Sequence, residues 1–368
     1  MKTLSRKSTK TPVTLTWMIT VFLLFLGYLF LIAPSPVASS SSYNAYQYDM
    51  TGPQFTPDGR LLQVEYATSA ADHSSPLLLV KLTVPKDDSQ QDPTMEISET
   101  EDIVVMFAVR SRRRVQERFV IIPASGSGSG SVYGQCVVAM SGVLPDCLSL
   151  LQAVQEEALQ RQRRYGSASA QLNAHDVAQC IASQCQQHAF GGGIRPYGAT
   201  FVVCGLLPGA GPHGHKLAAL QTDPSGAIQD LLVTTTVAPL SKTDDPKQRE
   251  PFIHWVGGKS VQRGAMRASL ESRLREEWPN IVAVGSAGEK LDRNYSSHLG
   301  RMISIIGKML LEESIKTASS ENSAAGPSQA DEDLKEGSEV EVVIISSVRG
   351  IYKLMQGQVN KLLAQSLG

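Results

Sequence analysis

From Pro53 onward, short runs of β-branched and aromatic residues alternate with stretches whose apolar positions recur every three or four residues. Leu77–Val84 (LLLVKLTV), Ile103–Ala108 and Phe119–Ile122 read as strands. Val132–Ala139 follows as a fourth, ended by the breaker Ser141-Gly142. Leu144, Leu148, Leu151 and Ala158 then repeat at helical spacing through Tyr165, with Gln, Glu and Arg between them. Asn173, with Asp176 three residues on, reads as a capping box that opens a second helix carrying Val177, Ile181 and Ala182. Strand-like runs return at Ala199–Leu206, Lys216–Thr222 and Ala227–Thr235, the last two parted by the turn Asp223-Pro224-Ser225-Gly226. Helical spacing resumes at Val261, Ala265, Leu270 and Leu274, and again at Leu299, Ile303, Ile306 and Leu310. Glu339–Ser346 is a last strand, and Ile351, Leu354, Gln358 and Leu362 mark a closing helix. Helices that arrive in consecutive pairs between groups of strands point to two sheets covered by helical layers, not to alternating βαβ units. Ahead of all this, Thr56-Pro57-Asp58-Gly59-Arg60 is a turn leading into a short helix over Leu61, Leu62, Val64, Glu65 and Ala67.

The first 42 residues follow a different pattern. Lys2, Arg6, Lys7 and Lys10 stand without an acid in residues 1–14, and Leu15–Ala33 carries no charge at all. Those 19 residues span about 28 Å as a helix, close to the ~30 Å of a bilayer core. The segment reads as a transmembrane or targeting helix, with the basic flank cytosolic and the remaining chain sent across. It is longer than the usual hydrophobic region of a cleaved signal, but Pro34–Ser39 offers small residues for a peptidase. Ser39–Ser42 is a polar linker, so residues 1–42 stand apart from a domain over 43–368.

Three stretches interrupt the domain's pattern. Residues 87–102 hold seven acids and no base, 124–131 is a Gly/Ser run, and 317–339 is polar and acidic. Each has too little apolar surface to offset the entropy of ordering and reads as an inserted loop. Composition limits the rest. At 368 residues with 42% hydrophobic side chains, the chain has ample material for a core. Lys plus Arg (34) nearly cancel Asp plus Glu (35), which disfavours a general nucleic-acid binder. Five cysteines without a CxxC pair make neither a disulfide framework nor a structural zinc site, and Cys136, Cys180 and Cys204 read as small hydrophobes.

Motifs for chemistry are weak. Gly209–Lys216 lacks the glycine before and the Ser/Thr after the lysine that a phosphate loop requires. His213, His215 and His188 lack further clustered ligands for zinc. Arg110, Arg112, Arg113, Arg114 and Arg118 form a basic group able to receive a carboxylate or phosphate, though a solvated edge beside the acidic 87–102 loop accounts for it more simply. No GxSxG elbow, HExxH or paired-carboxylate constellation occurs, so no catalytic residue, metal or cofactor is assigned.

The specific signal is a set of ordered segments. Tyr48–Ala67 (YDMTGPQFTPDGRLLQVEYA) closely resembles the amino-terminal signature of proteasome alpha-type subunits. Gly191–Ala199 (GGGIRPYGA) is similar to that family's Gly-Val-Arg-Pro-Phe-Gly segment, and Leu220–Gly226 (LQTDPSG) follows in the right order. The resemblance covers 48–235 well and 250–365 more loosely. It implies an α+β fold, a four-layer alpha-beta-beta-alpha sandwich of the Ntn-hydrolase type. It also implies a non-catalytic structural and gating role in the alpha ring of the proteasome core particle, in ubiquitin-dependent protein catabolism. The partners would be other alpha and beta subunits and a regulatory particle, in cytoplasm and nucleus, with no nucleic acid. By that resemblance, gating and ring contacts fall on Tyr48, Asp49, Pro57, Asp58, Gly59, Arg60, Gln63, Glu65 and Tyr66. Arg195, Pro196, Tyr197 and Gly198 would fix the start of a strand by packing and charge, and Asp223, Pro224, Ser225 and Gly226 would form a hairpin turn.

Several positions depart from the family. Met50 stands where an arginine is usual, and Ile121-Ile122-Pro123-Ala124 replaces a strand carrying the activator-binding lysine. Val143-Leu144-Pro145-Asp146-Cys147 lacks the customary Ala-Asp-Ala-Arg. The catalytic relatives expose an amino-terminal threonine whose own amine is the base. Here the first strand opens Ser74-Ser75-Pro76-Leu77 behind a long extension. Two alternatives stay open: a membrane-tethered pseudosubunit outside the core particle, and a beta-like threonine peptidase.

Overall fold

Ile103–Val109 is buried at every position, not at every second one, because strands in the middle of this molecule are covered on both faces. The computed structural model describes residues 54–85, 100–111, 117–122, 136–166, 172–191, 195–208, 215–232, 252–258, 260–283, 297–321, 338–347 and 350–365. Contacts divide the chain between Gln47 and Tyr48, and every described residue lies in the second unit.

In chain order the elements are α1 (Leu62–Asp72), β1 (Leu77–Pro85), β2 (Thr100–Ser111), β3 (Phe119–Ile122), β4 (Cys136–Gly142), α2 (Leu144–Tyr165), α3 (Ala174–Phe190), β5 (Ala199–Pro208), β6 (His215–Thr222), β7 (Ile228–Asp230) and β8 (Phe252–Val256). Then come α4 (Ser260–Ala283), α5 (Ser297–Glu321), β9 (Ser338–Ser346), β10 (Gly350–Lys353) and α6 (Gln356–Gln365). Among the described residues they form two five-stranded sheets, ordered β10-β9-β2-β1-β8 and β3-β4-β5-β6-β7. All the pairings are antiparallel.

Three apolar clusters fill the spaces. Leu78, Val80, Val105, Phe107, Val342 and Ile344 of the first sheet pack with Leu270, Leu274, Ile303 and Ile306 of α4 and α5 and Val359 of α6. The alternate residues, Leu77, Leu79, Val104, Met106, Val343 and Ile345, meet Val137, Ala139, Val202, Cys204 and Ala219 of the second sheet. That sheet's other face, with Val138, Met140, Phe201 and Val203, meets Leu150, Val154, Val177 and Ile181 of α2 and α3. Each fully buried large apolar side chain contributes about 1.5–3 kcal/mol, so a one-residue slip of β1 or β2 would exchange two complete core faces.

The boundaries differ from the sequence expectation where pairing or turn geometry overrides pattern. Ser141 and Gly142 stay in β4 because they pair with Thr200 and Ala199. The first helix begins at Leu62, one residue after the expected Leu61, and before it Thr56 N–H donates to the Arg60 carbonyl and Gly59 N–H to that of Thr56, closing the turn. Ile351 belongs to β10, which pairs with β9, so the last helix starts only at Gln356. The proposed insertions are trimmed too: Thr100–Asp102 lies in β2, and 317–339 loses Thr317–Glu321 to α5 and Ser338–Glu339 to β9. The core of the 87–102 loop and the 124–131 run lie outside the described residues. Asn173 and Asp176 do form the reciprocal capping box of α3. Among the described residues no helix is long and apolar enough to cross a membrane, and 15–33 is not among them.

Candidate functional site

Among the described residues singled out from sequence, those of α1 and those before β5 lie on elements that meet, whereas the Asp223–Gly226 turn lies against α3. Helix α1 buries only Ala67 and Ala71. Small side chains let the helix lie close against the ends of β4 and β5. A Cβ on Gly198 would come within 3.4 Å of the Ala70 Cβ and 3.2 Å of Val143 Cγ2. The other side of this segment faces outward, with Phe55 63% and Tyr66 53% exposed. Pro57, Asp58, Gly59 and Arg60 make the exposed turn before it, while Gln63 and Glu65 are half-buried. Arg60 grips Glu65 with two bonds, at 2.9 and 2.5 Å. Tyr48 and Asp49 lie outside the described residues.

Arg195, Pro196, Tyr197 and Gly198 lead into β5. The Arg195 guanidinium donates to both oxygens of Asp146, at 2.7 and 2.6 Å, and Gly198 N–H donates to the same carboxylate at 2.8 Å. Gly198 returns its carbonyl to Val143 N–H at 2.9 Å. Pro145 at the opening of α2 presets the helix, so Asp146 sits in its first turn with its carboxylate turned toward β5. Burial pushes the Asp146 carboxyl up, but the Arg195 bonds and the Gly198 amide outweigh it and hold it below the usual range. The Tyr197 ring lies on His188, centroids 4.1 Å apart, and His188 Nδ1 reaches the Arg195 carbonyl at 3.2 Å.

Asp223, Pro224, Ser225 and Gly226 join β6 to β7. Asp223 Oδ1 accepts from Ser225 N–H, Ser225 Oγ and Ala227 N–H, and Asp223 O accepts from Gly226 N–H. Gly226 has φ +81° and lies against α3, where a Cβ would stand 2.5 Å from the Ala182 carbonyl. Only glycine meets both demands.

At the head of β1, the Ser74 and Ser141 hydroxyls lie 2.5 Å apart, and Ser74 O accepts from Gly258 N–H at 2.8 Å. Gly257 (φ +70°) closes over the pair, and a Cβ there would be 2.3 Å from Ser141 Oγ. Ser74 N is a peptide amide that donates to the Ala71 carbonyl, so it has no lone pair to take a proton. Arg118 Nη2 donates to the Ser75 carbonyl at 3.0 Å.

Of the arginines read as a solvated edge, Arg110 and Arg118 are instead part of the packing. Arg110 pairs in register with Glu339 and bonds it at 2.8 Å, and its Nε lies 3.2 Å from the buried Glu341. Glu341 also accepts from Arg118 N–H at 2.9 Å. Arg112, Arg113 and Arg114, and likewise His213, fall outside the described residues. Sequence reasoning missed Asp146, Ser141 and Glu341, which are buried polar residues in apolar surroundings. An acid directly after a helix-opening proline was the one visible sign of Asp146.

Residues 48–70 match the family described by the N-terminal signature of A-type proteasome subunits, and 100–236 match the proteasome subunit family. The chain is 29% identical to the proteasome alpha subunit of Picrophilus torridus over 239 residues, 64% of this chain and 89% of that protein. It is 23% identical to the proteasome alpha subunit of Methanothermobacter thermautotrophicus over 248 residues, 67% and 88% respectively. It is 26% identical to the alpha type-3 proteasome subunit of Acanthamoeba castellanii over 179 residues, 49% and 59%.

Proposed function

Starting from this chain's membership of the proteasome alpha-type family, carried by both matched segments, we propose that it is a non-catalytic structural and gating subunit of the core particle's alpha ring. Its work is ubiquitin-dependent protein catabolism, with other alpha and beta subunits and a regulatory particle as partners, in cytoplasm and nucleus. We read the two sheets and their helices as the four-layer alpha-beta-beta-alpha sandwich of the Ntn-hydrolase type, supported by the three apolar clusters.

The observation that carries the role is α1. The signature residues form a helix that uses small side chains to dock at the sandwich end and keeps Phe55 and Tyr66 outside. Large apolar groups held outward on a docked segment are what a neighbouring subunit would cover. The turn Pro57–Arg60 stands on the same exposed segment and serves gating, together with Tyr48 and Asp49. The peptide amide of Ser74 supports the non-catalytic reading, because a nucleophile of this fold class needs a free amine. Coexpression with alpha-type partners tests the role. Tyr66→Asp, on the exposed face of α1, should release the chain from the assembly without unfolding it. Wild-type-like assembly of that variant would count against a contact through α1.

A second reading rests on Leu15–Ala33, which is apolar enough to enter a bilayer. If the segment is retained, the chain is membrane-anchored and acts as a tethered pseudosubunit outside the core particle. Full-length protein would then resist carbonate extraction, and glycosidase would shift its mobility through the sequon Asn294-Tyr295-Ser296. A mature amino terminus between residues 34 and 48 would remove that reading.

A further inference from the structure

Helix α1 is held by little apolar surface. It has 11 residues, and the two it buries are alanines. Helices this short are marginal in water, so the docked state depends on tertiary ties. One such tie lies just past its C-terminal end. Ser74 follows α1 after the capping His73; its hydroxyl meets Ser141 Oγ of β4 at 2.5 Å, and its carbonyl takes Gly258 N–H after β8 at 2.8 Å. One residue thus links α1 to both sheets. The site is also packed to its limit, since a Cβ on Gly257 would lie 2.3 Å from Ser141 Oγ and 2.8 Å from Ser74 Oγ.

We infer that the Ser74–Ser141 hydroxyl pair is a latch for α1, and that α1 opens and closes as a unit while both sheets stay folded. The sheets have the stability to permit this. Val104–Ala108 of β2 is fully buried between two strands and two apolar clusters, whereas α1 leaves most of its length half-exposed or exposed. Local opening follows such differences in burial. Ser141 is therefore a positioning residue, acting on α1 through Ser74. The inference concerns the chain alone and stands whether or not it joins a ring.

Hydrogen exchange on the full chain tests it. In wild type, amides of Tyr66–Asp72 should exchange faster than those of Val104–Ala108. Ser141→Ala should speed the α1 amides by about three- to tenfold, the net worth of one hydrogen bond, and speed β2 by no more than the same factor, so that α1 remains the faster-exchanging element. Ser74→Ala should do the same, and it removes the bond from a residue outside the sheets should Ser141→Ala fold poorly. Because the two share one interaction, the double variant should exchange no faster than either single one. α1 amides exchanging at the rate of β2, or strictly additive effects of the two substitutions, would overturn the latch.

Discussion

Asp146 and Arg195 bind through two hydrogen bonds of 2.6 and 2.7 Å, tying the first turn of α2 to the segment that opens β5. The carboxylate is 5% exposed and the guanidinium side chain 69%. The arginine alone would be comfortable in water; the acid would not. What the pair secures is the buried acid, which also holds Gly198 N–H under α1.

Replacing Asp146 should therefore cost more than replacing its partner. Asp146→Asn weakens both charged bonds and is expected to lower stability by about 2 kcal/mol at pH 7. Arg195→Gln should cost less, since its exposed end is well solvated. The folded Asp146 titrates below its unfolded value of about 3.9. Its stabilisation is thus present above that pH and is lost as pH falls through the folded value. Urea midpoints of wild type and Asp146→Asn should converge below about pH 4.

Arg110 carries two glutamates, the half-buried Glu339 and the buried Glu341. Burial disfavours its charge, but the Glu339 bond and the Glu341 field raise its pKa above the ordinary value. Arg110→Met should destabilise by about 3 kcal/mol by taking the guanidinium away from the buried Glu341 carboxylate. Removing both acids as well should recover most of that loss. Thermal melts of the single and triple variants measure it.

Most elements were legible because their apolar spacing was strong. Phe119–Ile122 and the Asn173 cap come directly from sequence, and Leu144–Tyr165 emerges from its Leu repeat. Strand β8 (FIHWV) was missed, since five residues carry too short an alternation, and β10 was hidden by Ile351 and Leu354 matching helical spacing. The site was legible only where a motif repeats a family pattern. Its buried connections were not: Asp146 lies 49 residues from Arg195 and Ser141 lies 67 from Ser74. Such pairs leave no local signal, because the bond exists only once two strand ends are brought together.

The cysteines should be inert except one. Burial pushes Cys136, Cys147 and Cys185 up to about 12 and moves Cys204 higher still, whereas Cys180 is only half-buried. With a maleimide at pH 7.5, native protein should be labelled at Cys180 first, and the other four only on unfolding. Rapid labelling of Cys147 or Cys185 in folded protein would contradict the packing of α2 on α3.

The chain should not hydrolyse small fluorogenic peptides or be trapped by electrophiles that capture an amino-terminal nucleophile. The amide of Ser74 cannot act as base while the α1–β1 junction is intact. Covalent label at a newly exposed internal terminus would favour the peptidase alternative.

Copurification bears most directly on the assembly role. Tagged full-length chain, isolated from its own cells over a range of salt concentrations, should bring down alpha-type and beta-type core-particle subunits in one complex. Recovery of a solitary monomer at every salt concentration would contradict the account.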